Sequence, residues 1–179
     1  MMQASATTDL GCFELRRPRS ESEWAAYHSI RERGFYVPLG LDKEFGPYDP
    51  GFPDQFRSDY TPLVMVRNGI VVATMGFQDM GDGLGQVRAV AVEPACQRRG
   101  YGSVMLTMAE DWARRHGFQR VWVRAHETAV MFYARCAYTY GAASDLETGE
   151  SPVADSVVMA KRLASGMRRR PQSMMFAAA

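Results

Sequence analysis

Apolar positions recur along this chain with two different periods, and the switches between them mark its elements. Residues 62–67 and 70–78 are apolar, β-branched runs on either side of Asn68-Gly69. Asn-Gly accepts the positive φ values of a type I′ turn, so the two runs predict a β-hairpin. A turn carrying Gly81, Gly83 and Gly85 then leads antiparallel into a buried strand over residues 87–92. Further on the period lengthens. Met105, Met108, Ala109, Trp112 and Ala113 fall at i, i+3, i+4, i+7 and i+8, the core-facing stripe of a helix over residues 103–116 that Gly117 stops. Upstream, Ser20 and Glu23 have the Ser-x-x-Glu form of a capping box and open a helix with Trp24, Tyr27 and Ile30 on one face, ended by Gly34. Residues 12–15 and 121–125 read as strands, and 138–142 and 155–161 as two last strands joined by a polar loop at 144–152. The resulting order predicts an α/β (α+β) fold, a mixed and mostly antiparallel central sheet with helices on both faces.

Residues 35–60 break this regularity. Pro38, Pro47, Pro50 and Pro53 alternate with glycines and with Phe35, Tyr36, Phe45, Tyr48, Phe52 and Phe56. A loop of this length is functional or disordered, and its aromatic density argues against disorder. These aromatics either line a binding site or cap the core.

Composition narrows the class. With 179 residues, one full domain is expected, placed at residues 11–164 between a flexible N-terminus at 1–10 and a disordered tail at 165–179. An apolar fraction of 46% and a charged fraction of 23% are those of a soluble protein. A net charge of +1 argues against a general nucleic-acid binder, so attraction for an anion must come from local placement. The Arg168-Arg169-Arg170 triplet reads as a solvated charge run. Cys12, Cys96 and Cys136 lack the close spacing of a zinc site and read as reduced thiols; with His28, His116 and His126 equally scattered, no metal is expected. The N-terminal stretch lacks the form of a signal peptide and no apolar run reaches bilayer length, so no membrane association and a cytoplasmic location are expected.

The chemistry concentrates at residues 86–103. A buried strand ends at a Pro-bearing bend, and Gln97, Arg98, Arg99, Gly100, Tyr101 and Gly102 run into the long helix at Ser103. A helix that opens from a glycine-rich turn leaves its first N–H groups without partners, and its dipole adds positive charge there. Gly100 and Gly102 let a phosphate approach the backbone, while Arg98 and Arg99 bring full charges to the mouth. No Lys-Ser/Thr follows the last glycine, so the turn is not a P-loop, and it has two glycines where a dinucleotide turn has three.

The Gln-x-x-Gly-x-Gly pattern after an apolar strand resembles the pyrophosphate-binding turn of the GNAT superfamily of acetyl-CoA-dependent N-acyltransferases. A second stretch adds to it. His126-x-x-Ala129-x-x-Phe132-Tyr133-x-Arg135-x-Ala137-Tyr138 resembles that family's Asn-x-x-Ala-x-x-aromatic-Tyr-x-Lys-x-Gly-Phe signature. The resemblance implies an N-acetyltransferase, with acetyl-CoA as acyl donor and an amine of a small molecule or peptide as acceptor, attacked directly in a ternary complex. It implies that the CoA pantetheine arm pairs with backbone groups of Val90, Ala91 and Val92, that an N–H near Val92 holds the oxyanion, and that residues 35–60 cover the acceptor. It gives Tyr133 the role of thiolate acid or thiol anchor, favoured over the reading of Tyr133 as a core residue on an amphipathic helix.

Departures from the family pattern leave alternatives open. His126, in place of the usual Asn, either contacts the CoA arm or caps the next helix. Arg135 either faces the adenosine end of CoA or is solvated, and Arg88 pairs with an acidic acceptor or with a structural partner. Where some members carry a catalytic base this chain has Gln86, which cannot serve. Glu93, Asp79, Glu44, His126 and a water relay remain, and no base is assigned. The missing base motivates a reading of another class, a non-catalytic acyl-CoA sensor on the same fold. The family often dimerises through its late strands, so a homodimer is one of the open arrangements.

Overall fold

The Asn-Gly turn sits where the pattern puts it. It joins β2 (Tyr60–Arg67) to β3 (Ile70–Asp79), with Asn68 and Gly69 at φ 50° and 80°. The computed structural model describes residues 12–51, 56–141 and 156–163. The expected flexible N-terminus, the polar loop at 144–152 and the tail lie outside them. Together with β1 (Phe13–Arg16), β4 (Leu84–Val92), β5 (Arg120–His126), β6 (Thr139–Tyr140) and β7 (Ser156–Arg162), the hairpin forms a 7-stranded sheet in the order β1-β2-β3-β4-β5-β7-β6. Every neighbouring pair is antiparallel except β4 with β5.

Two helical layers cover the sheet. The helix α1 (Glu21–Arg31) opens at Ser20, whose hydroxyl accepts from the Glu23 N–H. Glu23 in turn accepts from the Arg19 N–H at 2.7 Å and from both terminal nitrogens of Arg16 at 2.6 Å, which ties the helix start to β1. Tyr27 and Ile30 of α1 pack on Val64, Val66, Val71 and Ala91. The opposite face takes α3 (Tyr101–Arg115) and α4 (Val130–Arg135), whose Met105, Leu106, Ala109, Ala113 and Tyr133 join the larger core. A buried ion pair ties that layer together, with Lys161 Nζ donating to both Glu110 oxygens at 2.9 and 2.7 Å and to the Cys136 carbonyl.

One expected boundary is wrong. Gly34 does not end the first helix, because α1 passes into a π-helical turn, Glu32–Tyr36, and then to a short α2 (Leu41–Phe45). Gly34 is needed for another reason: a Cβ there would lie 2.9 Å from the Val92 carbonyl oxygen. Its missing side chain lets the π turn press directly on the end of β4.

Candidate active site

The site begins with a fault in β4. Its pairing with β3 slips between Thr74 and Gly76, so that Gly76 faces Arg88 while Thr74 faces Ala91. The extra residue forms a β-bulge with Ala89 at φ 46°, a left-handed conformation unusual for alanine. The bulge reverses the alternation of side chains. Val87 belongs to the α3-side core, and Val90 and Val92, of opposite parity, pack on that same core. It also bends the strand. β4 pairs with β5 only from Leu84–Arg120 to Val87–Val123, and beyond that the two parallel strands separate. The backbone of residues 88–92 is thus left without a β5 neighbour, facing a V-shaped opening.

At the top of that opening lies the glycine turn. Arg98 and Gly100 adopt φ 59° and 79°, and Gly100 caps α3 without a side-chain bond. Among the described residues no acceptor bonds to the backbone N–H groups of residues 98–103, while the next N–H, of Val104, turns back to the Gly100 carbonyl at 3.1 Å. Two left-handed residues just before the first turn of α3 turn these N–H groups toward one space, an anion nest at the positive end of a helix. Gln97 fixes the turn to the strand, its side-chain amide donating to the Val92 carbonyl at 3.2 Å. The two glycines serve different ends. A Cβ on Gly100 would meet nothing within 4 Å, which is the open space a phosphate needs. A Cβ on Gly102 would lie 3.2 Å from the Phe132 ring, so this glycine serves the packing of α3 against α4. Tyr101 contributes only its backbone, because its ring is buried edge-on to Phe13 and its hydroxyl bonds to Arg67. The side chains of Arg98, Arg99 and Ser103 are exposed around the nest.

Tyr133 lies on α4, whose neighbouring Phe132 touches the first turn of α3 and whose C-cap residue Cys136 reaches the Ser103 hydroxyl at 3.7 Å. The fold therefore brings the nest, the end of β4 and the helix carrying Tyr133 together. Tyr133 is buried at 8% exposure, and its hydroxyl bonds to no described residue. Burial, with a smaller contribution from Cys136, holds its pKa well above the usual tyrosine range. At neutral pH it is a protonated donor.

His126 caps the 3₁₀ turn Glu127–Ala129, its Nδ1 accepting from the Thr128 N–H at 3.3 Å and lying 2.9 Å from the Thr128 hydroxyl. Accepting at Nδ1 places the proton of the neutral ring on Nε2. Arg135 is exposed on the last turn of α4, and Arg88 donates to Gln78 at 2.8 Å, which in turn donates to Asp59. Of the four candidate bases, Glu93 pairs with Arg33 at 3.0 Å, Asp79 closes the turn at Gly81, Glu44 lies on α2, and His126 has its accepting nitrogen engaged in the cap, so none is assigned.

The opposite wall comes from the aromatic segment. Tyr36 donates to the Gly46 carbonyl and packs edge-on to Tyr48, whose hydroxyl is 3.0 Å from His28 Nδ1. Behind them Arg31 donates to the hydroxyls of Tyr27 and Tyr60. Phe45 and Phe56 are exposed, so the described aromatics of the segment divide between folding onto α1 and facing solvent, while Phe52 lies outside the described residues. Two features of this site were not read from the chain, the bulge at Ala89 and the π turn. The bulge did leave a trace, since Val87, Val90 and Val92 cannot all face one side of a regular strand.

A model of the acetyltransferase (GNAT) family matches residues 16–138. The chain belongs to that family. It is an acyltransferase, of a family whose reaction is acetyl transfer. Solved structures agree in fold. GCN5 of Tetrahymena aligns with a TM-score of 0.68 at 14% identity, covering 87% of this chain and 98% of that one. The ribosomal-protein-S18-alanine N-acetyltransferase of Escherichia coli aligns at 0.63 and 16%, covering 89% and 99%. The PaiA N-acetyltransferase of Thermoplasma acidophilum, solved in complex with coenzyme A, aligns at 0.63 and 11%, covering 84% and 99%. At such identities the likeness carries the fold: a seven-stranded, mostly antiparallel sheet between helices, as the alternation of periods implied.

Proposed function

We propose that the protein transfers an acetyl group from acetyl-CoA to the amine of a small molecule or peptide by direct attack in a ternary complex. The observation that carries this reading is the run of unpartnered N–H groups at residues 98–103, placed where β4 leaves β5. Such a nest suits a pyrophosphate, and the unpaired edge of residues 88–92 suits the amide groups of the pantetheine arm. That a fold neighbour was solved with coenzyme A supports the choice of donor.

The amine nitrogen attacks the thioester carbonyl carbon. A C–N bond forms as the C–S bond breaks, with the oxyanion held by a backbone N–H near Val92. Tyr133 gives its proton to the departing sulfur. The acceptor ammonium must first lose a proton, and water at the open mouth carries that proton to solvent, with no side chain assigned as its base. His126 and Arg135 serve the donor's arm and adenosine end.

The test is release of free thiol from acetyl-CoA in the presence of a panel of amines, with mass-spectrometric detection of the acetylated acceptor. Amine-dependent thiol release with a product 42 Da heavier, the mass that acetylation of an amine adds, is expected on general chemistry. Thiol release that no amine accelerates would refute it.

A further inference from the structure

Arg31 is held in a manner unlike the other arginines around it. Arg16 answers Glu14 and Glu23, Arg33 answers Glu93, Arg57 answers Asp59 and Arg114 answers Asp111. Arg31 has no carboxylate among the described residues. Its Nη1 donates to the hydroxyls of Tyr27 at 2.5 Å and Tyr60 at 2.9 Å, and its Nε is buried with no hydrogen-bond partner. The phenols do not supply the missing negative charge. Burial is the largest influence on both Tyr27 and Tyr48 and raises their pKa values, so they are neutral at pH 7. A partly buried guanidinium surrounded by neutral hydroxyls keeps its full charge, at a desolvation cost that an anion would offset.

The placement of that charge matters as much as its isolation. Tyr60, to which Arg31 donates, lies with its hydroxyl against Gly76: a Cβ on that glycine would be 1.8 Å from the oxygen. Gly76 is the register partner of Arg88, the residue immediately before the bulge. Arg31 is also one turn ahead of Gly34, the point where the π turn presses on Val92. The guanidinium thus lies on the α1 face of the sheet, bonded to a β2 tyrosine whose hydroxyl abuts β3 at the position opposite Arg88 of β4. Arg88 adds a second positive charge on that side. Of the carboxylates nearby, Asp59 is taken by Arg57 and Gln78, and Glu32 of the π turn lies near enough to Tyr48 to help raise its pKa but forms no ion pair with Arg31.

We propose that Arg31 is a specificity residue that reads a carboxylate on the acceptor, so that the substrate class is a small amine bearing a carboxylate, of which free amino acids are the simplest. This deepens the acetyltransferase reading and rests on it. The guanidinium fork offers its unsatisfied edge to the carboxylate while the amine reaches the thioester at the bulge. The tyrosines hold the fork in place.

The experiment compares the protein amino acids, each as free acid and as α-carboxamide, in the thiol-release assay with acetyl-CoA, and measures acetyl-CoA binding in parallel. For the acids that are turned over, a kcat/KM about 10- to 100-fold above that of the matching amide is expected, carried by KM. Arg31→Gln should bring that ratio near one with acetyl-CoA affinity unchanged, and Arg31→Lys should keep part of it. A structural role alone would lower both substrates equally. Equal turnover of acid and amide by the wild type overturns the proposal, and needs no variant to fold. So does acetyl-CoA binding with no acid turned over. Failure to bind acetyl-CoA at all would instead overturn the acetyltransferase reading beneath it.

Discussion

Replacing Tyr133 by Phe removes one hydroxyl and nothing else, and the surroundings of that hydroxyl make its loss easy to interpret. It bonds to no described residue, so its removal strands no buried partner. The ring, edge-on to Tyr138 at a centroid distance of 5.6 Å, keeps its packing. Stability should therefore change by less than about 1 kcal/mol, seen as a nearly unchanged urea midpoint. Affinity for acetyl-CoA should also hold, because the nest is built from backbone N–H groups of residues 98–103 on another helix. The rate should not. A positioned acid contributes about 100-fold or more, so kcat should fall by at least that factor, roughly 2.7 kcal/mol of barrier. Because burial raises the Tyr133 pKa, the wild-type rate should show no alkaline decline from this group near the ordinary tyrosine pKa of about 10. Stopped-flow thiol release under single-turnover conditions measures the chemical step directly. An unchanged single-turnover rate in Tyr133→Phe would refute its role as acid, and a wild type that binds acetyl-CoA without turnover would favour a sensor.

Other consequences follow from the packing and the charges. Glu110 is buried at 4% exposure against Lys161, with Arg114 at 3.6 Å as a second cation, so Lys161→Met should cost about 1.5–3 kcal/mol in urea unfolding, and the double change Glu110→Leu, Lys161→Met should recover part of it. Gly34→Ala should lose about 1–3 kcal/mol, because its Cβ meets a backbone oxygen at 2.9 Å, and Gly102→Ala should lose less, because Phe132 can shift. The bond from Arg16, then that from the Arg19 N–H, lowers the Glu23 pKa to about 2. A carboxyl lowered in the folded state stabilises above its unfolded pKa of about 4.5 and loses that contribution as pH falls toward 2, so its resonance in an NMR titration should move only near the lower value. Tyr27 and Tyr133, raised in the folded state by burial, work the other way. Their contribution is present below about pH 10 and is lost above it, and alkaline unfolding followed by circular dichroism should steepen there.

Much of the fold was legible because its signals are local. Asn68-Gly69 can form its turn without help, the Ser20 cap needs only Glu23 three residues on, and the Met105 to Ala113 stripe carries its own period. The glycine turn was legible for a similar reason, since a strand, two glycines and a helix define an anion nest through backbone geometry alone. What was not legible depends on contacts between distant segments. Gly34 reads as a helix stop until β4 is present, when the Val92 carbonyl explains it. Gly102 reads as room for phosphate until Phe132 occupies the space where its side chain would be. The left-handed Ala89 arises because β4 must stay paired with β3 while leaving β5, a demand no local propensity expresses. Arg31 carries no signal in the chain at all, because its bonding to tyrosine hydroxyls in place of a carboxylate appears only once α1 packs on β2.

The central claim is that residues 98–103 cradle the pyrophosphate of acetyl-CoA, and calorimetric titration tests it most directly. Wild-type protein should bind acetyl-CoA, and Gly100→Glu, which puts a carboxylate into the open space beside the nest, should abolish binding. Gly100→Ala measures the strain of a side chain at φ 79° on its own, about 1–2 kcal/mol, and should keep binding in weakened form. A wild type that shows no heat of binding, or a Gly100→Glu protein that binds acetyl-CoA as tightly as wild type, would contradict the cradle and the acetyl transfer built on it.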